Sequence, residues 1–293
     1  MDKNTIIGFV LIAAVLIGFS WWSRPSEEEI AQQRMQDSIT AVAKQKAEQK
    51  LKAEQEAEKA NAANKAVEDT TVAFYKALNG KAQSVVLKNS KVELTLNTKG
   101  GVVEKAVIKG FKSNSGNNDL TLFDGKNQSL KFMLAGKETN IITSDLFFTP
   151  SNVTDSTVTM TADAGNGKSL VMNYRLGKDY MLHFSMQANG LSGMFAPNYD
   201  KMDIEWTDLC RQQEKGFTFE NQHSSLTYHL TEGGTDNLSE TSEKVDEKIE
   251  DVIDWVAFKN QFFSAVMIAK DDFGANSLMT SIPQEKGSGF LKH

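Results

Sequence analysis

Between Thr5 and Trp22 the chain carries no charged side chain, and Ile6–Phe19 is apolar apart from Gly8 and Gly18. At about 1.5 Å per residue, these eighteen residues form a helix about 27 Å long, close to a hydrocarbon core of about 30 Å. Trp21 and Trp22 stand at the far end, where amphipathic rings favour the headgroup level. Arg24 and Pro25 then supply a charged stop and a helix break. Residues 1–26 therefore read as an uncleaved transmembrane signal anchor. The competing reading is a cleavable signal peptide, with Lys3 in its charged region and a cut near Gly18-Phe19-Ser20. Against it, the apolar run exceeds the usual core of roughly 7–15 residues, and both tryptophans would follow the cut. Charge leaves the orientation open, because Lys3 and the amino terminus are opposed by Arg24 and Arg34. In both readings the bulk of the chain is exported.

Ser26 to Asn79 is a run of 54 residues without glycine or proline, dominated by Ala, Glu, Gln and Lys, all strong helix formers. Ser26 is placed to cap a helix whose first turn holds Glu27, Glu28 and Glu29, acids that complement the helix dipole. Apolar anchors are thin (Ile30, Met35, Ile39, Val42, Leu51), too sparse for a sustained heptad seam. Residues 27–79 are expected to form a solvated helical stalk or linker, reaching about 80 Å if fully helical. Glu27–Leu78 docking a partner coiled coil is the other reading of this segment.

After Gly80 the apolar period changes from helical to two. Val92, Leu94 and Leu96 alternate with polar residues before Asn97-Thr98-Lys99-Gly100-Gly101 turns the chain. Val158 and Met160 alternate with threonines before a turn from Asp163 to Lys168. Leu170, Met172, Tyr174 and Leu176 then share one face, and Gly177-Lys178-Asp179 closes a hairpin. The next strand places Tyr180, Leu182, Phe184 and Met186 together, and Met202–Trp206 and Leu226–Leu230 supply further strands. Residues 80–293 are thus expected to be mainly β, a large antiparallel sandwich. The stretch Glu232–Asp254, with nine carboxylates against Lys244 and Lys248, reads as a solvated loop or short helix. It lacks the Asp-x-Asp-x-Asp-Gly spacing of a calcium loop.

The chemistry-bearing residues are few. The formal net charge of −6 gives no basic face for a nucleic acid, and the single Cys210 permits neither an internal disulfide nor a cysteine metal cluster. No phosphate loop, zinc motif or nucleophile elbow is present. His183 and His229 fall on the less apolar faces of their strands and read as surface side chains. His223, in the polar run Glu220-Asn221-Gln222-His223, fits a turn. Cys210 beside Arg211 reads as a half-buried lone cysteine, with an activated thiol as the alternative. The best sugar-site candidates are Trp206, His223 and Glu220, although their spacing does not single them out. No catalytic, cofactor-binding or metal residue is assigned, and no enzymatic activity or cofactor is expected.

Four stretches carry a resemblance. Met1-Asp2-Lys3-Asn4-Thr5-Ile6-Ile7-Gly8 with the exit Ser23-Arg24-Pro25-Ser26 resembles the first span of YidC membrane protein insertases in their Bacteroidetes form. Val92–Gly101 resembles the opening strands of their periplasmic domain. Arg211-Gln-Gln-Glu-Lys-Gly216 followed by Glu220-Asn221 resembles a mid-domain segment. Trp255-Val-Ala-Phe-Lys-Asn-Gln-Phe-Phe-Ser264, the most specific of the four, resembles a late strand. The resemblance implies a galactose-mutarotase-like β-supersandwich behind an inner-membrane anchor whose N-terminus is cytoplasmic. It implies nascent membrane proteins, Sec translocon components and the lipid bilayer as partners. It also implies five further spans with a polar groove and an arginine. The longest largely apolar run after Trp22 is Phe262–Ala269, eight residues, and the chain reaches His293 inside the expected periplasmic domain. The sequence thus reads as an N-terminal piece with the body short of its last strands. The alternatives are a membrane-tethered carbohydrate-binding or mutarotase-like protein and a stalked periplasmic adaptor.

Overall fold

The computed structural model describes residues 72–114, 116, 119–197, 201–238 and 244–292, all within the unit Asp69–His293. The expected anchor and nearly all of the expected stalk lie outside the described residues. Among the described residues no helix is long and apolar enough to cross a membrane.

The alternating segments form antiparallel sheets. β1 (Ser84–Lys88), β2 (Val92–Asn97), β3 (Val103–Lys112) and β4 (Asp119–Phe123) make one sheet in sequence order. β7 (Thr149–Ser151), β8 (Thr157–Gly165), β9 (Lys168–Leu176) and β10 (Leu182–Asn189) make a meander. β5 (Gln128–Leu134) lies between β6 (Ile141–Ile142) and β11 (Met202–Asp208). A fourth sheet has the order β13-β12-β15-β16, from β12 (Ser225–Leu230), β13 (Thr235–Asn237), β15 (Ile253–Lys259) and β16 (Ser264–Phe273). β14 (Val245–Ile249) pairs with β17 (Ser277–Ser281). Two short α-helices, α1 (Tyr75–Leu78) and α2 (Phe217–Gln222), and two 3-10 turns, Thr143–Asp145 and Ser192–Met194, complete the regular structure among the described residues.

Period-two burial makes two cores. In the first, Val92, Leu94 and Leu96 of β2 meet Val158, Met160 and Ala162 of β8 and Leu170, Met172, Tyr174 and Leu176 of β9. The Tyr174 hydroxyl donates to the Gly101 carbonyl at 2.7 Å, and burial raises its pKa. Gly101 itself has φ 71, and a Cβ there would lie 2.7 Å from Met172 Sδ, so both conformation and space demand glycine. The second core gathers Leu226 and Tyr228 of β12, Ile253 and Phe258 of β15, and Leu238, Ile249, Met279 and Leu291.

Several local expectations change. β8 and β9 extend into the expected Asp163–Lys168 turn, leaving only Asn166 (φ 54) and Gly167 (φ 73) between them. Both positive angles match the twist of a two-residue hairpin. The next connection takes five residues, 177–181, because Asn89 Nδ2 donates to the Gly177 and Asp179 carbonyls at 2.9 and 2.7 Å. Tyr180 and Met181 are therefore exposed, and the strand begins at Leu182. In the acidic stretch, the residues expected to be loop or helix include β13, β14 and the start of β15. Ile249 faces the second core while Asp246, Glu247 and Lys248 stay in solvent. Packing of the body also reaches back before Gly80, since Phe74, just before α1, and Ala77 within it lie in the first core.

Truncating a fully buried first-core residue should leave a cavity. Leu170→Ala is expected to cost about 2–5 kcal/mol, whereas Leu278→Ala, at an 82% exposed site, should change stability by less than about 0.5 kcal/mol. Urea unfolding of the detergent-solubilised chain, followed by near-ultraviolet circular dichroism, checks the contrast.

Candidate functional site

The mid-domain segment Arg211–Gly216 sits in a buried polar junction between the cores. Asp208, the last residue of β11, faces Gln128 across the ladder. Asn127 Nδ2 donates to Asp208 Oδ1 at 3.0 Å and to the Leu209 carbonyl at 2.8 Å. Arg211 Nε donates to Asn127 Oδ1 at 3.3 Å, and its guanidinium pairs with Asp124. Glu220 on α2 is only 1% exposed. Its Oε1 accepts the Gln213 N–H at 2.9 Å, and its Oε2 accepts those of Gln213 and Glu214 at 3.1 and 2.9 Å. The Leu291 N–H bonds the Cys210 carbonyl at 2.7 Å, and the Lys292 N–H bonds Asn221 Oδ1 at 3.0 Å.

Burial sets the acid–base character of this junction. It pushes Asp208 up to about 7 against the opposing pull of Asn127 and Arg211. Burial also raises Glu220, although the Gln213 and Glu214 N–H groups favour its charge. The Cys210 thiol is pushed well up by burial, with Asp208 and Glu220 adding to the shift. That overturns the activated-thiol alternative, because Arg211 spends its charge on Asp124. A cleft of about 560 Å³ opens beside Arg211, Gln212, Gln213, Lys215, Asn114 and Thr121. Its amides are committed to the protein: Gln213 Nε2 donates to the Thr121 carbonyl, and Asn114 and Gln212 both donate to the Glu214 carbonyl.

The second candidate is the outer face of the sheet containing β12, β15 and β16. His229 and Trp255 are cross-strand partners with rings stacked 5.9 Å apart, and His229 Nδ1 lies 2.9 Å from Asp254 Oδ1. Trp255, Ala257, Val266 and Ile268, with Thr227 and Lys259, line an open groove of about 300 Å³. His229 is therefore half-buried and partnered, unlike the surface side chain expected. Trp255 opens the late stretch singled out by resemblance and Asp254 ends the acidic stretch, but nothing local links either to His229, which only the register between β12 and β15 brings beside them.

The three sugar-site candidates do not assemble. Glu220 is consumed by backbone N–H groups. His223 is an exposed residue closing α2, with Nδ1 2.7 Å from the Phe219 carbonyl. Trp206 packs edge-on against Phe258 at 4.6 Å, and its indole N–H reaches the Gln128 side-chain oxygen at 3.1 Å. His183 is exposed on β10. Among the described residues, no group of three or more His, Cys, Asp or Glu is placed to hold a metal ion.

Asp208 makes the junction pH-sensitive. Its folded-state pKa of about 7 lies above the ordinary 3.8, so over that interval the folded chain keeps a proton that the unfolded chain has lost. Stability should therefore fall as pH rises from about 4 to about 7, and Asp208→Asn should flatten that slope. Thermal unfolding midpoints of both chains across this range measure the difference.

Residues 84–290 match the YidC periplasmic domain as a family. Over 296 residues the chain is 46% identical to the membrane protein insertase YidC of Phocaeicola vulgatus, covering 100% of this chain and 46% of that protein. It is 41% identical to the membrane protein insertase YidC of Bacteroides fragilis over 295 residues, covering 100% and 47%. For Porphyromonas gingivalis the identity is 33% over 302 residues, again covering 100% and 47%. The chain spans about half the length of the curated relatives it matches. With its β body matched from β1 to the segment after β17, the chain belongs to the YidC family.

Proposed function

We propose that this chain supplies the membrane anchor and periplasmic domain of an insertase that helps proteins enter, fold and assemble in the inner membrane. The observation that carries the reading is the family match along the β body, combined with full-chain identity to proteins named as insertases. In this reading residues 1–26 anchor with the N-terminus in the cytoplasm, 27–79 form a stalk, and 80–293 form a mutarotase-like β-supersandwich in the periplasm. Nascent membrane proteins are the clients, and the protein acts alone or beside Sec translocon components within the lipid bilayer. The role is non-enzymatic. The buried acids Asp208 and Glu220 are bonded to the protein's own groups and are not poised for a substrate. The insertion step itself is assigned to no residue of this chain.

Depletion of the full-length protein in its own cells should leave a single-span inner-membrane reporter uninserted and accessible to protease. Full-length protein should restore insertion, whereas residues 1–293 alone should not. Normal insertion during depletion would contradict the insertase reading.

The His229–Asp254 pair beside Trp255 favours a second reading, a tethered carbohydrate-binding domain, since an aromatic face with neighbouring polar groups suits a sugar ring. Calorimetric titration with aldohexoses separates the two. Saturable binding lost in Trp255→Ala supports the sugar reading, and no heat supports the insertase reading. The adaptor reading rests on Glu27–Leu78, nearly all of which lies outside the described residues.

A further inference from the structure

Three connections meet at one end of the first core: 89–91 between β1 and β2, 152–156 between β7 and β8, and 177–181 between β9 and β10. Asn89 ties the first to the third through the Gly177 and Asp179 carbonyls. The Lys88 N–H donates to the Asp155 carbonyl and the Leu176 N–H to the Ser156 carbonyl, both at 2.7 Å, which ties in the second. Each connection also bonds its own backbone. Asn89 Oδ1 accepts the Lys91 and Val92 N–H groups at 2.7 and 2.9 Å. Thr154 Oγ1 accepts those of Ser156 and Thr157 at 3.2 and 2.9 Å, and the Gly177 N–H donates to the Met181 carbonyl at 2.8 Å. Yet the tips of these fixed loops are apolar: Val153, Tyr180 and Met181 are 54%, 51% and 44% exposed.

Charge indicates the occupant. Residues 70–293 are acidic as a whole, with 23 basic and 27 acidic residues. At this end Lys88 pairs with Asp155 at 3.9 Å and Lys109 with Glu93 at 3.7 Å. Lys91, Arg175 and Lys178 then stand against Asp179, whose Oδ1 already accepts the Met181 N–H at 3.0 Å. Lys91 Nζ lies over the Tyr180 ring, 5.3 Å from its centre. Cations around apolar tips have the chemistry of an interfacial contact: ammonium groups reach anionic headgroups while tyrosine and aliphatic side chains enter the layer below. Only a loop whose backbone is already bonded can leave water there without a large penalty. An acidic polypeptide would answer the cations but not the apolar tips. We propose that this end docks on the anionic surface of the bilayer that holds the chain's own anchor, with Val153, Tyr180 and Met181 entering the headgroup layer. The chain joins the body at Phe74, whose N–H bonds the Ala164 carbonyl about 25 Å along β8 from this end. The reach of about 80 Å expected for residues 27–79 covers that distance. The inference rests on residues 1–26 being an anchor and not on insertase activity.

The test places the whole chain in nanodiscs with a polarity-sensitive thiol dye on Met181→Cys, which labels selectively because Cys210 is buried. In discs of phosphatidylcholine and phosphatidylglycerol in equal parts, the dye should shift to the blue and be quenched by lipids brominated near the headgroup. Both signals should fall in phosphatidylcholine alone. Lys91→Glu with Lys178→Glu should lower the ratio of docked to free body by roughly tenfold or more. Tyr180→Ser, which alters no charge, should lower it as well. The same dye on Asn166→Cys, in the turn at the other end of β8, should stay in water. A water-exposed dye at 181 in both compositions would overturn the proposal, as would quenching that survives the two charge reversals or quenching at 166 in place of 181. A dye at 181 that responds to added polyglutamate but not to anionic lipid would overturn it in favour of an acidic protein. A chain that does not enter the disc would remove the anchor and this inference together, whereas one that enters with its 181 dye in water removes the docking alone.

Discussion

Glu220 lies almost wholly out of solvent and spends both carboxylate oxygens on the backbone N–H groups of Gln213 and Glu214. Those N–H groups belong to an irregular segment that crosses between the cores, where no ladder could satisfy them. An unpaired buried N–H costs about 1–3 kcal/mol, so the carboxylate makes this crossing affordable and fixes its path. The surrounding contacts follow from that path. Arg211 reaches Asp124 and Asn127 near β4 and β5, and Asn127 in turn holds Asp208 at the end of β11. The Leu291 and Lys292 N–H groups bond Cys210 and Asn221, drawing the last described residues onto the same junction.

This arrangement binds a cluster of acids, an arginine and a thiol to one another and to the backbone. Asp208, Glu220 and Arg211 are each bonded to groups of the protein itself, and burial raises the pKa of the Cys210 thiol and of Asp208. The groove lined by Trp255, Val266 and Ile268 and the outer edge of β16, both in the β12-β15-β16 sheet, are of another kind. Backbone pairing and apolar contact are what such surfaces offer.

The sequence was most legible where one strand decides its own environment. Val92, Leu94 and Leu96, and Leu170 through Leu176, alternate with period two and are buried in that order. Turn boundaries were less legible because long-range partners set them. Asn89, far from the hairpin in sequence, lengthens the loop before β10. The acidic stretch was misread because its carboxylates mask single apolar anchors such as Ile249, which faces the second core. The junction was illegible for a topological reason: Asp208 meets Asn127 across 81 residues, and Arg211 meets Asp124 across 87. His229 with Asp254 depends likewise on strand register and not on any motif.

Cys210 is the sole cysteine of the chain and is buried within the junction, so its thiol reports directly on whether Glu220 holds the crossing closed. Labelling with a thiol reagent under native conditions should be far slower than for a free cysteine, and Glu220→Ala should accelerate it by about tenfold or more. An unchanged rate in Glu220→Ala would show that the crossing is held by something other than this carboxylate.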